Sequence, residues 1–303
     1  MYWFSHNHMP VEGRTILLTG GSEGTGLSAA RIFSSKGANV IIVSRNAAKL
    51  EEAVKSIKTA ARFPETQRFH AIAADVAVPN YAEGVVADAT AWNGQTPEIV
   101  WCLAGLSTPM LWTDDEAMVA ARYNMDVNYF GSAEMSRAIM RAWLLPGQGK
   151  QQPSTREPRP AAKHIIFTGS VLSTFSMAGH GTYAPSKFAL RALADALVIT
   201  TAGYERENET KPKITLQLEG ADKPQDPDVV ARLFIAGMEK GHYFVTTSFL
   251  GDLMRRGAMS NSPRNNWFVD TLMAWIMPFI LAFVMWDMNT QVSTWGKKKK
   301  KKR

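Results

Sequence analysis

A doubly wound α/β fold, in which helices cover both faces of a parallel sheet, is predicted for this 303-residue sequence by three observations. An apolar run leads into the glycine-rich turn Leu17-Leu18-Thr19-Gly20-Gly21-Ser22-Glu23-Gly24-Thr25-Gly26-Leu27, which opens a helical pattern. Continuous apolar runs, of the kind found in strands buried on both sides, then alternate with helical stretches. Far downstream, Tyr183 and Lys187 stand one helical turn apart at the head of another helical pattern, so their side chains share a face.

In chain order, residues 15–18 read as the first strand and 28–36 as the first helix, with Ala29, Ala30, Ile32 and Phe33 as its apolar stripe. Between them, Gly20, Gly24 and Gly26 let the backbone turn and approach phosphates, while the helix N-terminus offers N–H groups and a positive dipole end. Ser22 and Glu23 belong to the same turn. The second strand, 38–43, ends at Ser44-Arg45-Asn46. About twenty positions past the glycines, NAD sites carry an acidic residue for the ribose 2′-hydroxyl. Arg45 holds that place instead, which argues for the 2′-phosphate of NADP. A helix over 46–62 and a strand over 69–73 follow, and Asp75-Val76 at that strand's carboxyl end suits an adenine amino group. After a helix over 81–92, the fourth strand, 99–103, closes with Ala104-Gly105, small enough for a ribose to lie against the backbone. Helices over 114–123 and 127–145 come next, the second with the polar Asn128 among Val127, Tyr129 and Phe130. Residues 146–160 read as a surface loop, 163–168 as a fifth strand, and Gly169-Ser170 follows it.

Composition excludes one class of partner. The formal charge is +7, but the run from Lys297 to Arg303 supplies all of it: without that run, basic residues fall from 34 to 27 and equal the 27 acidic ones. A neutral body has no electrostatic footprint for nucleic acid. Cys102 is the single cysteine, so no internal disulfide forms, in keeping with a reducing, cytosol-facing location. The first residues show neither a basic region nor an apolar core of a signal peptide, and no metal site is expected.

The glycine turn, Asn128, Ser170 and the Tyr183/Lys187 pair together resemble the short-chain dehydrogenase/reductase family, whose T-G-x-x-x-G-x-G pattern stands here as Thr19 to Gly26. Further stretches resemble the fungal-type 3-ketodihydrosphingosine reductases of that family. These are Tyr183-Ala184-Pro185-Ser186-Lys187-Phe188-Ala189-Leu190, the run from Tyr204 to Thr215, and Thr246-Thr247-Ser248-Phe249-Leu250-Gly251-Asp252-Leu253. The resemblance implies NADPH-dependent reduction of the C3 ketone of a long-chain amino ketone. In it, Tyr183 protonates the oxygen, Lys187 lowers the tyrosine pKa and holds the nicotinamide ribose, Ser170 binds the carbonyl oxygen, and Asn128 supports a relay water. Other membrane-dissolved ketones, such as a retinoid or steroid, fit the same motifs, as does an inactive, membrane-tethered dinucleotide-binding protein.

Three departures stand out. The N-x-A-G element appears as Cys102-Leu103-Ala104-Gly105, and S-S-x-x-G as Gly169-Ser170-Val171-Leu172-Ser173. After the Tyr-Lys helix the family adds a sixth strand ending in Pro-Gly. Here Ala202-Gly203 takes that place, leaving the region roughly fifteen to twenty residues short of a doubly wound unit. The sixth strand is therefore expected to be missing or replaced, with residues 214–218 as the candidate replacement. Their apolar–polar alternation suits a half-exposed strand better than a buried one.

The organisation expected is a reductase domain over 1–260, a polar hinge at 261–266, a membrane-associated segment over 267–288 and a basic tail over 289–303. Residues 271–286 are uncharged and apolar but short of the ~20 residues of a span, Pro278 interrupts them, and extension to Trp267 takes in Asp270. Trp267, Trp275 and Trp286 suit an interface. A hairpin or in-plane helix keeps both flanks in the cytosol, and Lys300-Lys301-Lys302-Arg303 fits a K-K-x-x retrieval signal. The expected setting is the endoplasmic reticulum membrane, with the catalytic domain facing the cytosol and a homo-oligomer as a further expectation.

Overall fold

In β1 (Thr15–Thr19) the side chains of Ile16 and Leu18 join one core cluster and that of Leu17 the other, and all three are fully buried. Only a strand covered on both faces does this. The computed structural model describes residues 6–145, 162–202, 212–219, 225–258 and 262–300. The remaining strands are β2 (Asn39–Ser44), β3 (Phe69–Ala73), β4 (Ile99–Cys102), β5 (His164–Ser170), β6 (Lys213–Glu219) and β7 (Phe244–Thr246). All pair in parallel, in the order β3-β2-β1-β4-β5-β6-β7. The winding reverses between β1 and β4, and a doubly wound sheet opens its ligand crevice above the carboxyl ends of the strands at that point.

One face is covered by α1 (Gly24–Ser35), α2 (Ala47–Thr59) and α7 (Pro227–Glu239), which contribute Phe33, Ile57 and Phe234 to its core. The other is covered by α3 (Tyr81–Asn93), α5 (Gly131–Leu144) and α6 (Ala184–Ala202), through residues such as Val85, Ile139 and Leu190. Side chains end the loops and start the helices: Asn46 accepts from Lys49 N at 3.0 Å and Asp226 from Asp228 N at 2.8 Å, with Pro227 at the tolerated first position. The two helices expected over 114–145 are one continuous run. In it α4 (Ala117–Met125) passes through a π-helical turn, Asp126–Phe130, into α5.

The expected gap beside β5 is not there. Lys213–Glu219 pairs with β5 from Lys213↔His164 to Glu219↔Ser170 and with β7 on its other side, so the sixth strand is replaced rather than missing. The alternation misleads because its polar positions are buried as well. Ile214, Leu216 and Leu218 enter one core, while Thr215 and Gln217 are covered on the opposite face, where Gln217 Nε2 lies 3.1 Å from Met238 Sδ of α7. The loop at 146–160 lies outside the described residues, as do 203–211, which carry most of the stretch from Tyr204 to Thr215.

The C-terminal part comprises α8 (Phe249–Gly257) and α9 (Trp267–Lys300), a helix with Pro278 inside it. Among the described residues no helix is long and apolar enough to cross a membrane. Asp270, placed by the sequence within an extended membrane segment, is instead a buried clamp. It accepts from Arg255 at 3.0 and 3.2 Å and from the N–H groups of Asn265 and Asn266 at 2.9 and 3.2 Å, and Arg256 Nη1 lies 3.1 Å away. The expected hinge is tied down by Asn265, whose Oδ1 accepts from Tyr243 N and Phe244 N at 3.0 and 3.2 Å; Asn261 lies outside the described residues.

Burial by itself raises the Asp270 carboxyl, but the Arg255 hydrogen bonds, the Asn266 N–H and both arginine charges outweigh it and hold the group below its ordinary value. A depressed carboxylate stabilises the fold fully above its unfolded pKa of about 3.9, and the contribution is lost as pH falls through the lower, folded value. Asp270→Asn removes the buried carboxylate of the cluster and leaves the two arginines with Asp252 alone, 2.8 Å from each, and is expected to cost about 3 kcal/mol near neutrality. In urea melts from pH 7 downward, the gap between wild type and variant should hold to about pH 4 and narrow below it.

Candidate active site

The crevice is made by close backbone approach. Gly20 has φ +73°, and a Cβ there would lie 2.9 Å from Ala104 N and Cα; a Cβ on Gly26 would lie 2.1 Å from Gly20 O. Only hydrogens fit, so the first turn of α1 is packed directly onto the glycine turn and that turn onto the end of β4. Thr19 completes the joint, its Oγ1 accepting from Leu103 N and Ala104 N at 3.1 and 3.2 Å. Cys102, which stands where the N-x-A-G element has its Asn, is buried at this strand end.

The resulting cavity, about 280 Å³, is walled by Gly20, Ser22, Glu23, Gly26, Arg45, Asp75, Val76, Ala104 and Gly105, nine positions the sequence singles out, with Ser44 and Leu106 added by the fold. Gly24 is the first residue of α1. Ser22 Oγ donates to Ser44 Oγ at 2.9 Å, and Glu23 pairs with Lys49 at 2.6 Å. Arg45 Nη1 donates to Tyr123 Oη at 2.7 Å and lies 3.8 Å from Asp75 Oδ2, while Asp75 Oδ1 accepts from Ala77 N at 2.9 Å. A separate cavity of about 330 Å³ opens beside His164 and Lys213, at the amino ends of β5 and β6, and is lined by none of the candidate catalytic or cofactor residues.

The second half of the site comes from β5, α6 and the π-helical turn. Asn128, buried in that turn, holds the backbone of Leu106 from both sides: Oδ1 accepts from its N–H and Nδ2 donates to its carbonyl, each at 2.9 Å. The widened turn is what aims this side chain across the helix, a common use of π-bulges. Nδ2 also donates to Ser186 Oγ at 2.9 Å, and Ser186 Oγ donates to Tyr183 O at 2.7 Å. Sequence reasoning assigned Ser186 and Thr19 no role; their place inside the two motifs was the available signal.

Lys187 is buried, donates to Thr168 O at 2.9 Å, and has its Nζ 5.7 Å from the centroid of the Tyr183 ring. A Cβ on Gly105 would stand 3.4 Å from this Nζ and 3.1 Å from Asn128 Oδ1, so the ammonium reaches the wall of the crevice. Ser170 ends β5 and starts a 3₁₀ turn, Val171–Ser173. Its Oγ accepts from Leu172 N at 3.2 Å and its N–H donates to Ser173 Oγ at 3.1 Å, so Ser173 fixes the turn in place of the S-S-x-x-G loop. Tyr183 packs against Val171, Leu172 and Ala184, the first of which follows Ser170 in the chain.

A glycine cradle at the switch point, joined through Gly105 to a buried lysine beside a tyrosine, defines a class of dinucleotide-dependent oxidoreductase. The chain belongs to the short chain dehydrogenase family, which matches residues 14–205. Over most of its length it is similar to 3-ketodihydrosphingosine reductases. With gsl-3 of Neurospora crassa it is 54% identical, the match covering 97% of this chain and 86% of that protein. With ksrA of Aspergillus fumigatus it is 38% identical, over 98% and 89%. The Neurospora alignment runs over 316 positions, more than the 303 residues present here, so that relative carries internal residues without a counterpart in this chain. Solved structures share the fold. A short-chain dehydrogenase from Streptomyces avermitilis superposes with TM-score 0.65 at 19% identity, over 82% of this chain and 93% of that one.

Proposed function

We propose that this chain reduces 3-ketodihydrosphingosine to dihydrosphingosine with NADPH, as a step of sphingolipid synthesis. The observation that carries the reading is the meeting of Lys187 Nζ with the crevice wall at Gly105, beside the Tyr183 ring. The cradle fits a dinucleotide because Gly20 and Gly26, where an added Cβ would strike backbone, keep the glycine turn packed against α1 and the end of β4. Gly20 to Gly26 would hold the pyrophosphate, Arg45 the 2′-phosphate, Asp75 and Val76 the adenine end, and Ala104 and Gly105 a ribose. NADPH, when bound, supplies the hydride that the carbonyl carbon accepts.

The chain's own residues manage the proton. An ordinary phenol, with a pKa near 10, holds its proton too tightly at pH 7; an ammonium alongside favours the phenolate and makes Tyr183 the better acid. Tyr183 donates to the carbonyl oxygen while Ser170, its oxygen already oriented by Leu172 N, directs its hydroxyl hydrogen at the same atom. Asn128 fixes the loop after β4 and, through Ser186, the backbone of Tyr183, and would steady a relay water near Lys187. A missing sixth strand would favour an inactive tether, and β6 occupies that place beside β5. NADPH oxidation on addition of 3-ketodihydrosphingosine tests the assignment. Arg45→Ala removes a charge-assisted contact of about 1.5–3 kcal/mol, so KM for NADPH should rise 10- to 100-fold with NADH turnover unchanged.

Membrane attachment, at the endoplasmic reticulum with the reductase domain in the cytosol, belongs to the same proposal. Its support is α9: Asp270 and Met277 are buried against the domain, while Phe268, Leu272, Trp275, Phe279, Phe283 and Trp286 are exposed along the helix. A helix fastened by one face and aromatic on another suits the plane of an interface, and each lysine of the tail near an anionic leaflet adds about 1 kcal/mol. Trp275→Ser with Phe279→Ser should move the protein from pellet to supernatant when sedimented with anionic vesicles; unchanged pelleting contradicts the in-plane reading. Exposed Met118, Val119 and Phe130 support self-association, and sedimentation at the 33.5 kDa monomer mass would exclude it.

A further inference from the structure

Arg191 lies one helical turn beyond Lys187 on α6, is buried, and reaches three separate elements. Its Nη1 donates to Ser173 O at 3.4 Å, at the end of the turn that fixes Ser170. Its Nη2 donates to the carbonyl of Ala258, just past α8, and to Ser262 Oγ at 3.1 Å. From there the polar contacts run on without a break. Ser262 donates to Asp195 Oδ2 at 2.8 Å and Tyr243 Oη to Asp195 Oδ1 at 2.6 Å, Tyr243 N donates to Asn265 Oδ1 at 3.0 Å, and Asn265 N donates to Asp270 Oδ2 at 2.9 Å. A second support is apolar: a Cβ on Gly251 of α8 would meet Val171 Cγ1 at 3.2 Å, so α8 leans directly on the residue after Ser170.

We infer that Arg191 is a positioning residue for the reaction, holding the Ser170 turn against the base of α9 so that the seating of that helix sets the aim of the serine hydroxyl. This rests on the reading of Ser170 as the group that binds the carbonyl oxygen. A guanidinium is required because one planar fork serves the carbonyls at both ends; an ammonium keeps the charge facing Asp195 but cannot span them. Among the described residues the network shares no member with the cradle wall, so cofactor affinity is expected to be independent of it. The Asp270 clamp belongs to the same device: it holds α9 and Asn265 in place at the far end of the chain of contacts.

Hydrogen exchange on the full-length protein tests the coupling without any substrate. In Arg191→Lys, amides of residues 170–173 should exchange at least tenfold faster while those of residues 15–19 keep their protection. Asp270→Asn, altered nearly a hundred positions away in sequence, should speed exchange at residues 170–173 at least tenfold more than at residues 15–19, whose protection falls only with the lower global stability. In turnover, Arg191→Lys should lower kcat at least tenfold with KM for NADPH within twofold. Ser262→Ala, a milder cut in the same network, carries the test if Arg191→Lys does not fold. Unchanged exchange at 170–173 in the folded variants, or protection lost equally in residues 15–19, overturns the inference. A wild type that fails to reduce the ketone would refute the proposed function but leave these exchange patterns to be read on their own.

Discussion

Tyr183→Phe is expected to lower kcat by about 10²–10⁴-fold, the range of a lost general acid, while KM for NADPH changes little. The ring remains, so its packing beside Val171, Leu172 and Ala184 is kept; only the hydroxyl is lost. With the phenol gone, the alkoxide that forms on hydride arrival keeps the Ser170 hydroxyl, and serine is too weak an acid to finish the reaction. Stopped-flow NADPH fluorescence separates the two quantities: binding amplitude as in wild type, oxidation rate collapsed. An equal loss of binding and turnover would mean that the phenol is a structural group.

Gly26→Ala is expected to abolish NADPH binding, with affinity down at least 100-fold, on the order of 3 kcal/mol or more. The added Cβ would stand 2.1 Å from Gly20 O and 2.9 Å from Gly20 C, and both obstacles are backbone. Either α1 shifts out or the glycine turn opens, and each moves the N–H groups that bind phosphate. Gly84→Ala is the control. It lies within α3 with nothing within 4 Å of its added Cβ, and alanine there should be neutral or stabilising by up to about 1 kcal/mol. Fluorescence titration of both variants, with a urea melt of each, checks the pair.

The crevice was legible because phosphate binding and close approach demand particular residues at fixed spacing. Gly20, Gly26, Ala104 and Gly105 leave the sequence few alternatives, and the fold brings them to one wall. Asn128 could be picked out as a polar residue in an apolar stretch, but the π-helical turn that aims it has no sequence signature, so 114–145 read as two helices. Residues 213–219 were misjudged for a physical reason: Thr215 and Gln217 are buried polar residues, and a pattern rule prices every polar position as exposed. The partners of Asp270 were hidden for a related reason. A carboxylate beside an apolar run looks like the edge of a membrane segment, and only the fold shows Arg255 and Arg256 waiting for it. Long-range partners such as Arg191 with Ser173 and Ala258 depend on where α8 comes to rest, which no local pattern encodes.

The internal residues that the Neurospora relative has and this chain lacks make activity the decisive property. Without them, seven strands still pair in one sheet, and the glycine turn, Arg45, Asp75 and Gly105 wall one crevice at its switch point. The most direct measurement is therefore NADPH oxidation by the purified full-length chain with 3-ketodihydrosphingosine in phospholipid vesicles, with the alcohol product quantified alongside. The structure predicts one dihydrosphingosine formed per NADPH consumed, at a rate at least a hundredfold above Tyr183→Phe. NADPH bound normally, with alcohol forming no faster than in that variant, would contradict it.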